Sequence, residues 1–163
     1  MVDLLAWCQS LENTPMSAAI RDSIWLFPAI ETLHLIGIVA LVGSTSILDL
    51  RLLGWAFKKT SVAKLTHQAL PWAWTGFLSQ LITGFFMFAS EASRVYVNPA
   101  FRLKMLMIVA AGINALIFHV TTRTRVAEPE DRGTPLGAKL AGLSSILLWF
   151  GIVVAGRMIA YFE

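Results

Sequence analysis

The chain has little of two residue classes that support many functions, cysteine and charged residues. One cysteine, Cys8, occurs in 163 residues. An intramolecular disulfide, a paired-cysteine metal site and a covalent c-type haem attachment are therefore excluded. Only 14% of the residues are charged and 56% are hydrophobic, whereas soluble domains carry about 25% charged residues. Together with a mean hydropathy of +0.68, this composition indicates an integral membrane protein.

Several sequence signals are also missing. The N-terminus has no basic segment before its first apolar residues, so we expect no cleavable signal peptide. The chain has no glycine-rich phosphate loop, no aromatic-basic strand motif and no zinc-ligand spacing. Its pI of about 9.4 comes from basic residues in short segments between apolar runs. We interpret these residues as topology signals and expect no nucleic-acid partner.

Four apolar runs dominate the sequence, at about residues 24–48, 70–90, 101–121 and 136–161. Each is long enough to cross the roughly 30 Å hydrocarbon core of a bilayer. Residues 2–12 carry apolar side chains at three- and four-residue spacing, which predicts a short amphipathic helix in the membrane interface. The predicted fold is all-α: one integral membrane four-helix bundle over residues 1–163, with the lipid bilayer as its partner.

The lysines and arginines predict the orientation of these spans. Eight of the 13 fall after the first and third runs and five on the other side, which favours both termini outside. The eight are Arg51, Lys58, Lys59, Lys64, Arg123, Arg125, Arg132 and Lys139, and the five are Arg21, Arg94, Arg102, Lys104 and Arg157.

Glu31 and His34 are the only ionisable side chains in the middle of the first run. Three residues apart on a helix, they are expected to share a face. Ionisable groups at membrane depth are costly, so both are functional candidates. Glu31 could carry a proton or could only accept a hydrogen bond from His34, and that bond is also the non-functional alternative for His34.

Helical periodicity of about 100° per residue places further polar positions in the interior. Gln80, Thr83 and Met87 share a face of the second span, and Lys104 and His119 share a broad face of the third. Asn114 is expected to form a hydrogen bond between helices. His67 projects away from this interior and is interpreted as an interfacial residue.

Two imidazoles and several glycines inside a helical bundle suggest haem b, present once or twice. His34 is the first candidate iron ligand, and His119 and Met87 are candidates for the second. His34 lies about 15 Å and His119 about 27 Å below the outer ends of their spans, so His119 fits only if the helices are offset. Otherwise His119 is an interfacial histidine or belongs to a separate site. Three cations at the outer end could pair with haem propionates: Arg94, Lys104 and Arg157.

Two motifs carry a resemblance to a known group: His34 followed by an apolar glycine-bearing helix, and Phe101-Arg-Leu-Lys-Met-Leu-Met at the start of the third span. They resemble small bacterial membrane proteins of the HemJ/CopD-like superfamily, which includes HemJ-type protoporphyrinogen oxidases and the membrane part of copper-resistance protein D. Residues 70–76, 83–84 and 98–101 look closer to an uncharacterised bacterial family of that group. The resemblance implies haem b and the bacterial inner membrane.

The leading hypothesis is a b-type haem protein that moves electrons between the quinone pool or a membrane dehydrogenase and a partner. A HemJ-like porphyrinogen oxidase is the first alternative. Here, however, the interval from Lys104 to His119 is about one turn longer than in that type. Copper handling, small-solute transport and a structural role in a membrane complex are further alternatives. Both a homo-oligomer and a subunit of a larger complex fit the sequence.

Overall fold

The computed structural model describes residues 4–122 and 134–162, and the regular elements in these two ranges are all helical. The helices are α1 (Leu4–Glu12), α2 (Pro15–Asp22), α3 (Leu26–Leu53), α4 (Val62–Ser90), α5 (Ala92–Val97), α6 (Pro99–Ile117) and α7 (Leu136–Met158). A π-helical turn, Phe118–Thr122, extends α6. Three of the basic residues used for orientation, Arg123, Arg125 and Arg132, lie outside the described residues.

In the described part of the chain, three helices are long and apolar enough to cross a membrane: Leu26–Leu53, Pro99–Val120 and Leu136–Met158. Much of their apolar surface is exposed; Val39 is 73% exposed and Phe150 is 70% exposed. Apolar surface on this scale needs an apolar solvent or a partner, because soluble monomers rarely expose large contiguous apolar patches. The all-helical class and the membrane character predicted from the sequence are therefore confirmed. The helix α4 is as long, at 29 residues, but less apolar.

Two helix boundaries differ from the predicted spans. Helix α3 continues past residue 48 to Leu53 and ends at Gly54, whose φ of 74° is left-handed and favours glycine. Helix α4 begins at Val62, well before residue 70, because Ser61 caps its first turn by accepting a hydrogen bond from the Lys64 N–H. Pro71 consequently lies inside α4.

The long helices pack around α3, which contacts α4 on one side and α7 on the other, while α6 packs on α7. Direct contact between α4 and α6 is slight. Glycines allow the closest approaches. Gly76 of α4 meets the Leu41 and Gly37 backbone of α3, and Gly142 of α7 meets the Asp49 backbone. Small residues at such crossings are typical of membrane helix pairs.

The short helices α1, α2 and α5 form an N-terminal cap at the end where α4 stops. The Glu12 carboxylate accepts hydrogen bonds from the Ser93 hydroxyl and from the Ser93 N–H (3.1 Å). Arg21 donates to the Ser90 carbonyl (3.2 Å). The hydrogen bond from Ser93 lowers the pKa of the Glu12 carboxyl from its usual 4.5, so the carboxylate is maintained to more acidic pH.

Substituting Gly76 tests the α3–α4 contact. A Cβ at Gly76 would lie 2.5 Å from the Leu41 backbone N, whereas a Cβ at Gly112 meets no atom within 4 Å. We therefore expect Gly76→Val to destabilise the protein by about 1–3 kcal/mol through overpacking and to lower its unfolding temperature in detergent. The matched control, Gly112→Val, should stay within about 0.5 kcal/mol of the parent. Equal effects of the two variants would contradict the close contact.

Candidate functional site

His34 lies half-buried on α3 and faces α4. Its Nδ1 is 2.8 Å from the Oγ1 of Thr83, a residue only 6% exposed. A Cβ at Gly84 would be 3.5 Å from the imidazole Cε1, which is ordinary van der Waals contact. The Thr83-Gly84 pair of α4 thus supplies both a polar partner and a flat surface for the ring.

The hydroxyl proton of Thr83 determines the direction of this hydrogen bond. Thr83 Oγ1 lies 2.5 Å from the Ser79 carbonyl, which can only accept, so the hydroxyl donates there. Having given up its single proton, Thr83 accepts from His34, and we assign the proton of the neutral imidazole to Nδ1. The lone pair then lies on Nε2, which has no hydrogen-bond partner among residues 4–122 and 134–162.

Two further hydrogen bonds from α4 hold the backbone of α3 around His34. Gln80 Nε2 donates to the His34 carbonyl (2.6 Å), and Ser79 Oγ donates to the Leu33 carbonyl (3.3 Å). Both donors lie against Gly37, where a Cβ would be 2.8 Å from each. The predicted interior position of Gln80 is therefore correct, but its partner is the backbone of residue 34 and not the imidazole.

Lys104 approaches the same region from α6. Its side chain lies against Gly156 of α7, with Nζ 3.5 Å from the position of a Cβ there. Gly142 of α7 meets the Asp49 backbone of α3. Gly156 lies fourteen residues, about 21 Å, further along α7 towards the end of α3 that carries His34. Lys104 therefore lies at a height similar to that of His34, on a different helix.

His119 lies away from His34 and Lys104. It is exposed on the π-helical turn, fifteen residues after Lys104 and hence about 22 Å further along the helix axis at 1.5 Å per residue. A single iron could bind both His34 and His119 only if the helices shifted by about this distance, so the pairing stays a prediction that requires offset helices. Gly112 and Ala115, which follow Ala111 on α6, are also exposed. The reason is that α6 packs mainly against α7.

Glu31 is exposed, and the predicted Glu31–His34 pair does not form. Residues three apart on a helix differ by about 60° in direction. Helix α4 covers the His34 side of α3 and leaves Glu31 on the outer side. The imidazole accordingly takes its partner from α4, in Thr83, and not from its own helix.

The other predicted site residues are Met87, Arg94, Arg157 and Asn114. Met87 is half-buried one turn after Thr83. Arg157 is exposed on α7, and Arg94 is exposed on α5, where it pairs with Glu91. Asn114 donates to the Ala141 carbonyl of α7 (3.0 Å), the interhelical hydrogen bond expected from the sequence.

Sequence reasoning missed two features. Thr83 was assigned to the interior without its role as the His34 partner. The burial of Asp49 was not predicted: this residue is 5% exposed inside α3. A signal for burial existed: Asp49 stands between Leu48 and Leu50, four residues after Thr45, on a helix that continues to Leu53.

In its described residues, the chain is an all-helical protein with three apolar helices able to cross a membrane. The imidazole of His34 is hydrogen-bonded to the neighbouring helix α4. The comparison with family models goes further. Residues 26–162 match the model of DUF6644, a family of unknown function, and the chain belongs to that family. The match begins at the first residue of α3, so it includes His34, Thr83 and Lys104. No curated protein and no solved structure gives a significant match.

The proton assignment at His34 can be tested by nitrogen NMR of histidine-labelled protein. We expect the His34 signals of a neutral Nδ1–H tautomer, and Thr83→Val should shift them towards a tautomer mixture because the acceptor is lost. Thr75→Val is the matched control, since Thr75 is exposed on the same helix and bonds only to the Trp72 carbonyl. A parent protein with its proton on Nε2 would contradict the assignment.

Proposed function

We propose that α3, α4, α6 and α7 form a four-helix bundle across the bacterial inner membrane, with α1 lying in the interface. The three strongly apolar helices support this arrangement. So do Trp25 and Trp55, which flank α3 at opposite ends and are 79% and 69% exposed, as in the aromatic belts of membrane proteins. Four crossings put both termini on one side, and the charge distribution makes that side periplasmic.

We further propose that the protein binds haem b with His34 Nε2 as an axial iron ligand. The observation that carries this proposal is the hydrogen bond from Nδ1–H to Thr83, which leaves Nε2 free. Histidines that bind metals typically donate their other ring N–H to a fixed acceptor, which sets the tautomer and the ring orientation.

The residues around His34 fit a haem in three respects. Gly84 leaves the face of α4 beside the imidazole without a side chain. Lys104, at a similar height, supplies a cation that could pair with a propionate. Direct contact between α4 and α6 is slight, which is compatible with a flat ligand between them. The described residues bring no second histidine to His34, so the other axial position is not assigned to a residue.

Bound haem would supply reversible one-electron chemistry. In this proposal, Thr83 orients the His34 ring, Gln80 holds the α3 backbone at that residue, and Lys104 neutralises negative charge. The inferred function is electron transfer between the quinone pool or a membrane dehydrogenase and a partner. It would operate in a homo-oligomer or as a subunit of a larger complex.

An absorption spectrum tests the haem proposal directly. Protein purified after expression with haem supply should show a Soret band, and His34→Ala should lose it. His67→Ala and His119→Ala are matched controls that should keep it, because both side chains are exposed and neither is at this centre. Thr83→Val should weaken haem affinity by about 10–100-fold. A parent protein without a Soret band, or full haem in His34→Ala, would refute the assignment.

A second candidate, a HemJ-like porphyrinogen oxidase, is favoured by the position of Lys104, at a height similar to that of His34. A lysine beside a haem could bind a carboxylate of a porphyrinogen as readily as a propionate. This function predicts that the gene rescues a strain lacking its own protoporphyrinogen oxidase, and that Lys104→Met loses rescue while its Soret band remains. A well-expressed, haem-loaded parent that gives no rescue would instead favour electron transfer alone.

Residues 4–122 and 134–162 contain no group of three or more histidine, cysteine, aspartate or glutamate side chains that could hold a metal ion. A haem iron needs only one or two axial protein ligands, so the same observation places no restriction on the haem proposal.

A further inference from the structure

Asp49 is a buried acid that the proposed haem site does not use. It is 5% exposed and lies four residues before the end of α3, where that helix crosses α7. A Cβ on Gly142 would be 3.1 Å from the Asp49 carbonyl and 3.5 Å from its Cα. The close approach of α7 therefore shields this part of α3 from solvent.

The carboxyl has one identified polar partner. It is hydrogen-bonded to the Ser145 side chain of α7. Its Oδ2 is buried and has no hydrogen-bond partner in the described residues. An ionised carboxylate in such a place loses its hydration without replacement, which costs far more than burying the neutral acid.

No cation compensates the charge within the described part of the chain, where no ion pair involves Asp49. On its own helix, Arg51 donates from Nε to the Thr60 carbonyl (2.7 Å). The ionisable groups of the other elements around it are exposed: Lys64 and His67 on α4, Lys139 on α7 and His119 on the π-helical turn. The site therefore favours the neutral acid over the carboxylate.

We propose that Asp49 is a proton-binding site that exchanges its proton with the aqueous phase at the α3–α4 loop. The reaction is protonation of a carboxylate to a carboxylic acid and involves no electron. Four residues separate Asp49 from Leu53, about 6 Å along the axis, so the route to water is short. His34, with its partner Thr83 of α4, lies towards the other end of α3, and the proposal does not depend on haem.

Whether the Asp49 carboxyl carries a proton determines how closely α3 and α7 pack. The neutral acid allows the backbones to meet at Gly142. Loss of the proton leaves an uncompensated charge between the two helices and weakens their contact. Lysines and arginines are more numerous at this end of the spans, which makes it the cytoplasmic end. The contact therefore responds to pH on the cytoplasmic side of the membrane.

Infrared spectroscopy of the full chain in lipid nanodiscs tests this proposal. Protein with carboxyl-¹³C aspartate should show, at neutral pH, a protonated-carboxyl band that shifts in D₂O. Asp49→Asn should remove it, and since asparagine resembles the neutral acid in size and charge, the variant should fold. Asp22→Asn is the matched control, because the Asp22 side chain is 73% exposed, and it should leave the band unchanged. The band should be lost reversibly as the pH is raised, because deprotonation converts the carboxylic acid to a carboxylate.

Three results would overturn the proposal: no protonated aspartate band in the parent, a band that persists in Asp49→Asn, or a band that alkaline pH does not remove. Ser145→Ala gives a second readout if Asp49→Asn does not fold. Loss of the Ser145 hydrogen bond should shift the frequency of the band, and an unchanged frequency would argue that the band comes from another aspartate. The Soret band plays no part in any of these measurements, so failure of the haem proposal would not affect them.

Discussion

The site depends on one chain of hydrogen bonds, from the His34 imidazole to the Thr83 hydroxyl and on to the Ser79 carbonyl. Thr83 has one proton and gives it to a backbone acceptor, so the imidazole must be the donor in the other bond. In an apolar environment no water competes for these groups. The orientation and tautomer of His34 are thereby determined by a side chain on the neighbouring helix, and the same bonds keep α3 and α4 in register.

Helix α3 carries the two polar features of interest at opposite ends, and each is completed by a different neighbour. His34 is completed by α4, and Asp49 is enclosed by α7. The fifteen residues between them correspond to about 22 Å along the helix. Glycines at both crossings allow the backbones to approach, so the two contacts are close enough to exclude solvent. The proposed redox and proton chemistry would therefore take place at separate positions on one helix.

Several predictions depended only on local sequence, and these agree with the structure. Apolar run length located the long helices, and helical spacing placed Gln80 and Asn114 towards other helices. Predictions that required a partner on another helix were less reliable. Glu31 was predicted to share a face with His34, and His119 was predicted to share a face with Lys104. Neither side chain lies against a neighbouring helix that would bury it. A helical wheel gives the direction of a side chain relative to its own axis and does not say which side a neighbour covers.

The sequence by itself determined that this protein is all-helical, apolar enough for a membrane, free of disulfides, and provided with one unusual histidine in its first long helix. These properties follow from composition and from backbone geometry, which are local. Only the tertiary structure decided that His34 pairs with Thr83, that Lys104 lies at a similar height, that His119 is remote, and that Asp49 is buried. Each of those facts depends on which face of a helix meets its neighbour and at what height, and close packing of glycines far apart in sequence sets both.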